Sequence, residues 1–188
     1  MYDAEKVRKG LKLLIDNQPY LIVDFQYVKP GKGQAFTRMK IRNMITGQVL
    51  EKTYKSGERL APADMEERQM QYLYREGDKF VFMDTTSYEQ FFLEEGQVED
   101  VKGYLIDNLP VSVLFFSGRA IGVTPPIFVE LKVAETEPGF KGDTTSNVLK
   151  AAKMETGMSV QVPLFVNEGE ILKIDTRTGE YVERVRSK

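Results

Sequence analysis

Three residue types are missing from this sequence of 188 residues: cysteine, histidine and tryptophan. Without cysteine the chain has no disulfide framework and no thiolate nucleophile. Without histidine it has no Ser-His-Asp triad and no imidazole-ligated metal site. Carboxylates, lysines, tyrosines and hydroxyls are the side chains that remain for catalysis, so the composition excludes several large enzyme classes before any motif is considered.

Long hydrophobic runs are missing as well. No apolar run approaches the length of about 20 residues that a bilayer-spanning helix needs. The N-terminal residues Met1–Lys6 are charged and lack the apolar core of a signal peptide. We therefore expect a cytoplasmic protein without a membrane partner.

The charge is divided unevenly along the chain. Residues 1–64 carry 12 Lys and Arg against 7 Asp and Glu, a net charge of +5, whereas residues 65–128 carry 5 against 11, a net charge of −6. Residues 129–188 are nearly neutral, with 9 Lys and Arg against 10 Asp and Glu. This pattern predicts that the first third contacts polyanions and that the middle third is a poor phosphate ligand.

Basic residues occupy every second position of one segment in the first third, at Arg38, Lys40 and Arg42. The residues between them are Thr37, Met39 and Ile41. A period of two predicts a strand with one buried face, which would place the three cations in a row on the other face. Such a row can follow a nucleic-acid backbone, but a charge run is also typical of a solvated surface. The segment alone leaves both interpretations open.

Lys32 stands between Gly31 and Gly33 in the segment Val28–Phe36. Glycines on both sides remove side-chain bulk and permit a sharp turn, so we expect Lys32 to project from the tip of a β-hairpin. A Schiff-base lysine is usually buried so that its amine can lose a proton. A phosphate-binding loop would need GxxxxGK spacing, a following Ser or Thr and a helix. We therefore predict no catalytic residues, no metal site and no enzyme activity.

Strand patterns dominate the rest of the chain, with turn dipeptides such as Pro30-Gly31 and Thr178-Gly179 between them. Many short strands at these intervals are typical of small β-barrels or sandwiches. The predicted strands are Tyr20–Val23, Phe36–Ile41, Gln48–Tyr54, Met70–Tyr74, Lys79–Met83, Val111–Phe116, Ile127–Val133, Val160–Val166 and Glu170–Ile174. Short helices are predicted at Thr86–Gln90 and within Val98–Leu109.

Two domain boundaries are predicted from composition. The first lies at Ala61–Asp64, where basic sequence gives way to acidic sequence, and the second lies at Thr124–Ile127, where two prolines interrupt strand pairing. The resulting segments are 1–64, 65–128 and 129–188. Each has the size of an SH3-like or OB-like barrel, and each is small for independent stability.

Several sequence blocks resemble bacterial elongation factor P. The hairpin segment Lys29–Ala35 resembles the hairpin tip of that family. Further blocks that fit it are Gln71–Tyr74, Val123–Pro126, Lys141–Thr144, Lys150–Ala152, Gly157, Val160–Val166, Gly169-Glu170 and Asp175–Val182. The resemblance runs from about Val7 to Arg186 and covers all three segments. The stretch Asn147–Leu149 departs from it, because family members are often richer in glycine there.

The resemblance implies an all-β fold of three small barrels in an L shape: an SH3-like (KOW-like) domain over 1–64 and OB-fold domains over 65–128 and 129–188. It also implies a monomer that binds the 70S ribosome between the P and E sites and stimulates peptide-bond formation at consecutive prolines. Lys32 would reach along the P-site peptidyl-tRNA to the peptidyl-transferase centre. A modifying enzyme would add a lysyl-type group to Lys32, and no other cofactor is implied.

The resemblance also implies two groups of contact residues. The tRNA would contact Lys29, Pro30, Gly31, Lys32, Gly33, Arg38, Lys40 and Arg42. The mRNA in the E site and the small subunit would contact Gly142, Asp143, Thr144, Tyr181 and Arg184, although Tyr181 could instead pack in its own barrel. Two alternatives stay open: a paralogue of the factor with other targets, and a general RNA-binding β-barrel protein without a role in peptidyl transfer.

Overall fold

The chain folds almost entirely into β-strands. The computed structural model describes residues 1–138 and 148–185, and among these residues it contains sixteen strands, one four-residue α-helix and one 3₁₀ helix. The strands form three separate sheets of six, five and five strands. The predicted all-β fold class is therefore confirmed.

The first sheet has the strand order β1-β6-β2-β3-β4-β5. Its strands are β1 (Tyr2–Asp3), β2 (Lys12–Ile15), β3 (Gln18–Val28), β4 (Phe36–Asn43), β5 (Val49–Lys55) and β6 (Arg59–Pro62). Its core contains the fully buried side chains of Leu13, Ile22, Met39 and Ile41. A bulge interrupts the pairing of β3 with β4 between Ile22 and Asp24, and the long β3–β4 hairpin extends beyond it.

The middle sheet has the strand order β11-β10-β7-β8-β9. Its strands are β7 (Met65–Glu76), β8 (Lys79–Asp84), β9 (Gln90–Glu94), β10 (Pro110–Phe116) and β11 (Arg119–Thr124). The third sheet has the order β14-β13-β12-β15-β16. Its strands are β12 (Phe128–Thr136), β13 (Leu149–Met154), β14 (Ser159–Pro163), β15 (Ile171–Asp175) and β16 (Glu180–Arg184).

The helix predicted at Thr86–Gln90 is wrong, because this segment is a turn between β8 and β9. The Asp84 carboxylate accepts hydrogen bonds from the backbone N–H groups of Thr86 and Ser87 at 2.8 and 3.0 Å. Tyr88 then adopts a positive φ of 60°, which a helix does not allow. The aspartate side chain therefore takes the backbone donors that a first helical turn would use.

The helical segment predicted within Val98–Leu109 is reduced to a single 3₁₀ turn, and the α-helical turn ends where the predicted range begins. The structure has α1 at Glu95–Val98 and a 3₁₀ helix at Lys102–Tyr104. The 3₁₀ helix places Tyr104 in the core of the third sheet, where its side chain is buried with Leu131 and Ile174. The hydroxyl of Thr156 also donates a hydrogen bond to the carbonyl oxygen of Gly103 at 2.7 Å.

The chain divides into two compact units. The first contains Met1–Glu67 and Leu114–Gly122, and the second contains Arg68–Val113 and Val123–Lys188. The domain boundaries at residues 64 and 128 stay a prediction. Within the described ranges 1–138 and 148–185, no helix is long and apolar enough to cross a membrane.

Candidate nucleic-acid interface

The predicted tip lysine lies in the connection between β3 and β4. These strands pair antiparallel up to Val28 opposite Phe36, which leaves Lys29–Ala35 as the connecting loop. We call these residues the Lys32 loop. The strands on either side are long, so the sheet carries the loop beyond the buried core of the first unit.

The two glycines of the loop have different roles. Gly33 has a φ of +112°, a conformation that side-chain-bearing residues rarely adopt. Gly31 has no positive φ, and a Cβ atom added to it would meet nothing within 4 Å. The turn therefore requires glycine at position 33, while position 31 is open to other small residues.

The Lys32 side chain is exposed and has no partner. Across residues 1–138 and 148–185, no hydrogen bond or ion pair involves its ammonium group. The neighbouring Lys29 is exposed as well, whereas Pro30 is half-buried. A cation held at a loop tip without an internal partner is available to an external anion or to a modifying enzyme.

The alternation predicted for β4 is confirmed. Arg38, Lys40 and Arg42 are exposed. Thr37, Met39 and Ile41, which lie between them, are at most 1% exposed. The three cations therefore share the exposed face of the sheet that carries the Lys32 loop. We call them the cation row.

Acidic residues of neighbouring strands flank the middle of the cation row. Lys40 pairs in register with Asp24 on β3 and with Glu51 on β5. Arg38 lies between Gln26 and Thr53 instead. The segment Phe25–Leu50 contains no acidic residue, so sequence reasoning missed both carboxylates. They become visible only when the register of all three strands is known.

Asp24 is itself engaged by another lysine. Lys9 Nζ lies 2.8 Å from Asp24 Oδ1. The hydrogen bond from Lys9 is the largest of the causes that lower the pKa of Asp24, and Lys40 adds a smaller electrostatic contribution. The carboxylate is therefore shared between two cations, which leaves Lys40 less completely neutralised than its register alone would indicate.

The predicted C-terminal contact residues lie on β16 in the second unit. Tyr181 is half-buried and packs against the core of the third sheet. Arg184 is exposed, but its Nη1 lies 2.8 Å from Glu170 Oε1 and its guanidinium lies 5.6 Å from the centre of the Phe165 ring. Phe165 is 58% exposed, so the exposed aromatic side chain beside Arg184 is Phe165. The predicted residues Gly142, Asp143 and Thr144 lie outside the described residues.

A cavity of about 470 Å³ in the second unit contains none of the predicted contact residues. Its buried walls include the rings of Tyr72, Phe80 and Tyr104. The cationic side chains at its rim are paired within the protein, since Arg75 and Lys102 both contact Glu95 at 2.8 and 2.7 Å. In the part of the chain that is described, no group of three or more acidic residues is arranged to hold a metal ion.

Comparison with known proteins gives matches along the whole chain. Residues 3–60 match a family described as the elongation factor P (EF-P) KOW-like domain, residues 65–123 match the elongation factor P (EF-P) OB domain, and residues 129–184 match elongation factor P, C-terminal. These matches cover both the Lys32 loop and β16.

Curated relatives of similar length match over nearly their full extent. Elongation factor P from Desulforapulum autotrophicum is 54% identical over 98% of this chain and 99% of the relative. Elongation factor P 2 from Geobacter sulfurreducens is 52% identical over 99% of this chain and 100% of the relative. A solved structure, eukaryotic translation initiation factor 5A from Methanococcus jannaschii, shares the fold, with a TM-score of 0.55 and 24% identity over 66% of this chain and 91% of that chain.

Proposed function

The chain belongs to the elongation factor P family of translation elongation factors, and we therefore propose that it binds the ribosome between the P and E sites. There it stimulates peptide-bond formation on ribosomes stalled at consecutive prolines. The observation that carries this proposal is the exposed, unpaired Lys32 at the tip of a long hairpin.

The proposed mechanism is positioning without acid-base chemistry. Proline is a poor nucleophile and its ring restricts the nascent chain, so the reactive geometry is rarely sampled. A protein that holds the peptidyl-tRNA and its CCA end in place lowers the barrier by orientation alone. Lys32 serves as the arm that reaches the peptidyl-transferase centre, and the absence of histidine and cysteine from the sequence agrees with such a role.

The cation row and the Lys32 loop form the proposed tRNA contact. Arg38 and Arg42 bind backbone phosphates most strongly, because they face neutral residues across the sheet, while Lys40 shares its surroundings with Asp24 and Glu51. Lys29 and the backbone at Pro30, Gly31 and Gly33 lie nearest the acceptor end. Phosphate contacts of this kind make binding depend steeply on salt.

Lys32 carries a lysyl-type modification in the proposed active form. Its side chain is exposed and unpaired across the described ranges, so a modifying enzyme could reach the amine without unfolding the hairpin. An added aminoacyl group would lengthen the arm and supply further hydrogen-bond donors. The factor acts in the cytoplasm as a monomer, with the modifying enzyme as a transient partner.

The segment 129–188 is proposed to contact the mRNA and the small subunit. Gly142, Asp143 and Thr144 supply the mRNA contact, and Arg184 and Tyr181 contact RNA of the small subunit. Arg184 is the better placed of the latter two, because its guanidinium is exposed while Tyr181 is half-buried.

A purified translation system separates this proposal from a general RNA-binding function. Wild-type protein should accelerate synthesis through a Pro-Pro-Pro sequence and leave a proline-free control peptide unchanged. Lys32→Ala should abolish the acceleration, whereas Lys132→Ala, which removes an exposed lysine from β12, should retain it. Equal activity of wild type and Lys32→Ala would rule out the positioning arm.

The modification of Lys32 is tested by the intact mass of protein expressed in its native host. An unmodified mass would contradict the proposed modification.

A further inference from the structure

The second half of the Lys32 loop is hydrogen-bonded to the turn between β5 and β6. The backbone N–H of Ser56 donates to the carbonyl oxygen of Ala35 at 2.8 Å. In the other direction, the Gln34 side-chain amide donates to the carbonyl oxygen of Ser56 at 3.2 Å. These two bonds connect residues 21 and 22 positions apart in the sequence, directly beside the lysine tip.

The β5–β6 turn is also hydrogen-bonded to the N-terminal segment. The Ser56 hydroxyl donates to the Glu5 carboxylate. The backbone N–H of the neighbouring Ala4 donates to the carbonyl oxygen of Glu58 at 3.0 Å, and Ala4 is fully buried in the core of the first unit. A series of hydrogen bonds therefore connects Gln34, through Ser56, with the exposed Glu5, the neighbour of the buried Ala4.

The β5–β6 turn also has hydrogen bonds between its own first and last residues. Glu58 Oε1 accepts a hydrogen bond from the backbone N–H of Lys55 at 3.0 Å, and the Glu58 N–H donates to the Lys55 carbonyl at 3.1 Å. With both ends tied, the turn has little freedom to follow a moving loop. It therefore gives Gln34 and Ala35 a partner that is itself hydrogen-bonded at both ends.

The first half of the loop has no such support. Within the described part of the chain, Lys29–Gly33 make no backbone or side-chain hydrogen bond outside the strands. Pro30 restricts one φ angle. The position of Lys32 relative to the sheet is therefore set mainly from its C-terminal side.

We propose that Gln34, supported by Ser56 and Glu5, is a positioning residue for Lys32. The inference rests on the proposed function, since it concerns where the arm is held when it acts. An arm that is ordered before it binds loses less conformational entropy at the peptidyl-transferase centre and presents its amine in one region of space. Gln34 itself contacts neither the reacting atoms nor, in this proposal, the tRNA.

The decisive variant is Gln34→Glu. A carboxylate has the same shape as the amide but no N–H, so it cannot donate to the Ser56 carbonyl. Gln48→Glu is the matched control, because Gln48 is exposed in the same unit and its side chain has no hydrogen bond among the described residues. Every preparation is first shown by mass spectrometry to carry the same mass on the Lys32 peptide.

We expect Gln34→Glu to change the saturating rate but not the half-saturating factor concentration. In Gln34→Glu the saturating rate of Pro-Pro bond formation should fall about fivefold, the effect of one net hydrogen bond, while the half-saturating factor concentration changes less than about twofold. The ¹⁵N heteronuclear NOE of Gly31 and Gly33 should fall, and the thermal midpoint should fall by no more than about 2–4 °C, the shift for the loss of one net hydrogen bond in a chain of this size. Gln48→Glu should match the wild type in all four measurements.

A second pair of variants tests the other end of the support. Ser56→Ala removes the bond to Glu5 and leaves both backbone partners of the loop in place, so we expect a smaller loss of saturating rate in the same direction. Ser56→Thr keeps the hydroxyl and should restore the wild-type rate.

Two outcomes would overturn the inference. The first is that Gln34→Glu leaves both the NOE values and the saturating rate unchanged. The second is a raised half-saturating concentration with an unchanged saturating rate, which would make Gln34 a binding contact. Failure of the proposed function would look different, because the wild type itself would then give no acceleration at Pro-Pro. The NOE comparison would still decide whether Gln34 orders the loop.

Discussion

Thr37 is a polar residue in an apolar position near the start of β4, beside the Lys32 loop. Its side chain is 1% exposed, and within the described residues its Oγ1 has no hydrogen-bond partner. A buried hydroxyl without a partner loses its bonds to water on folding and gains none in return. The residue therefore weakens the first sheet relative to an apolar residue of the same shape.

Replacing this hydroxyl should stabilise the protein. For Thr37→Val we expect the free energy of unfolding to rise by about 1 kcal/mol, because the unpaired group is removed while the branched shape stays. Urea denaturation measures the change. Thr53→Val, at an exposed position of β5, serves as the control and should shift the value by less than about 0.5 kcal/mol. A loss of stability in Thr37→Val would mean that the hydroxyl has a partner in solution.

Asp175 makes the fold sensitive to acid. Its carboxylate accepts two hydrogen bonds from the Arg177 side chain, at 3.0 and 2.6 Å, and one from the Arg177 backbone at 2.9 Å. The hydrogen bond from the Arg177 side chain is the largest cause that lowers the pKa of Asp175, to about 2. Because this pKa is lower in the folded than in the unfolded chain, the group stabilises the fold above about pH 4. That contribution disappears as the pH falls towards 2.

The Asp175→Asn variant should therefore respond less to acid. We expect the urea midpoint of the wild type to fall more steeply between about pH 4 and pH 2 than that of the variant, and the two proteins to differ most near neutral pH. Midpoints measured from pH 2 to pH 7 test this. Glu130→Gln removes an exposed carboxylate from β12 and should keep the wild-type slope. Parallel curves for wild type and Asp175→Asn would contradict the assignment.

At the scale of the single element, β4 was the most predictable part of the structure. Its alternation of basic and apolar residues is a local signal, and the observed burial follows it at Thr37, Met39 and Ile41. The charges beside the strand were not predictable, because Asp24 and Glu51 belong to other strands and their positions depend on register and on the bulge in β3. Neither the strand register nor the bulge can be read from a single sequence.

The flanking carboxylates lead to unequal contributions within the cation row. Arg38→Gln and Arg42→Gln should each reduce the slope of log affinity against log salt by about 0.9, the value for one phosphate contact on a duplex. Lys40→Gln should reduce it by less, since Asp24 and Glu51 already occupy its surroundings. Fluorescence anisotropy with an RNA hairpin that mimics a tRNA acceptor stem measures the slopes, and Lys132→Gln is the control. Equal reductions for all three residues would contradict this prediction.

Turns and short helices were harder to predict than strands. Thr86–Gln90 has the composition of a helix start, but the Asp84 side chain competes for the same backbone donors and produces a turn. The support of the Lys32 loop was also missed, since Gln34 and Ser56 lie 22 residues apart and meet only after β4 and β5 have paired. In both cases the local structure depends on a side-chain hydrogen bond, which the spacing of hydrophobic residues does not predict.

At the scale of the whole molecule, all three predicted segments are β-structured and the family assignment covers the chain. The L-shaped arrangement stays a prediction. No pattern in the sequence indicated that Tyr104, which precedes β10 of the middle sheet, is buried in the core of the third sheet. Burial of this kind depends on tertiary contacts that a hydrophobic pattern does not specify.

Tyr104 should contribute strongly to the stability of the second unit. Its side chain is 8% exposed and packs with Val129, Leu131 and Ile174. We expect Tyr104→Ala to lower the free energy of unfolding of this unit by about 3–5 kcal/mol, the range for removal of a buried aromatic ring. Hydrogen exchange of the β12 and β15 amides measures the loss. Tyr104→Phe keeps the ring and should cost no more than about 1 kcal/mol. Unchanged protection in Tyr104→Ala would contradict the assignment.

The support of the Lys32 loop on one side has a consequence for how its length can change. Only Gly33 separates Lys32 from Gln34, so the backbone of the lysine lies within about 7 Å of the residue that is bonded to Ser56. Residues inserted between Lys29 and Gly31 would therefore leave Lys32 where the Ser56 turn holds it. Residues inserted after Gly33 would lengthen the connection between Lys32 and Gln34, so the reach of the arm is set on the C-terminal side of the lysine.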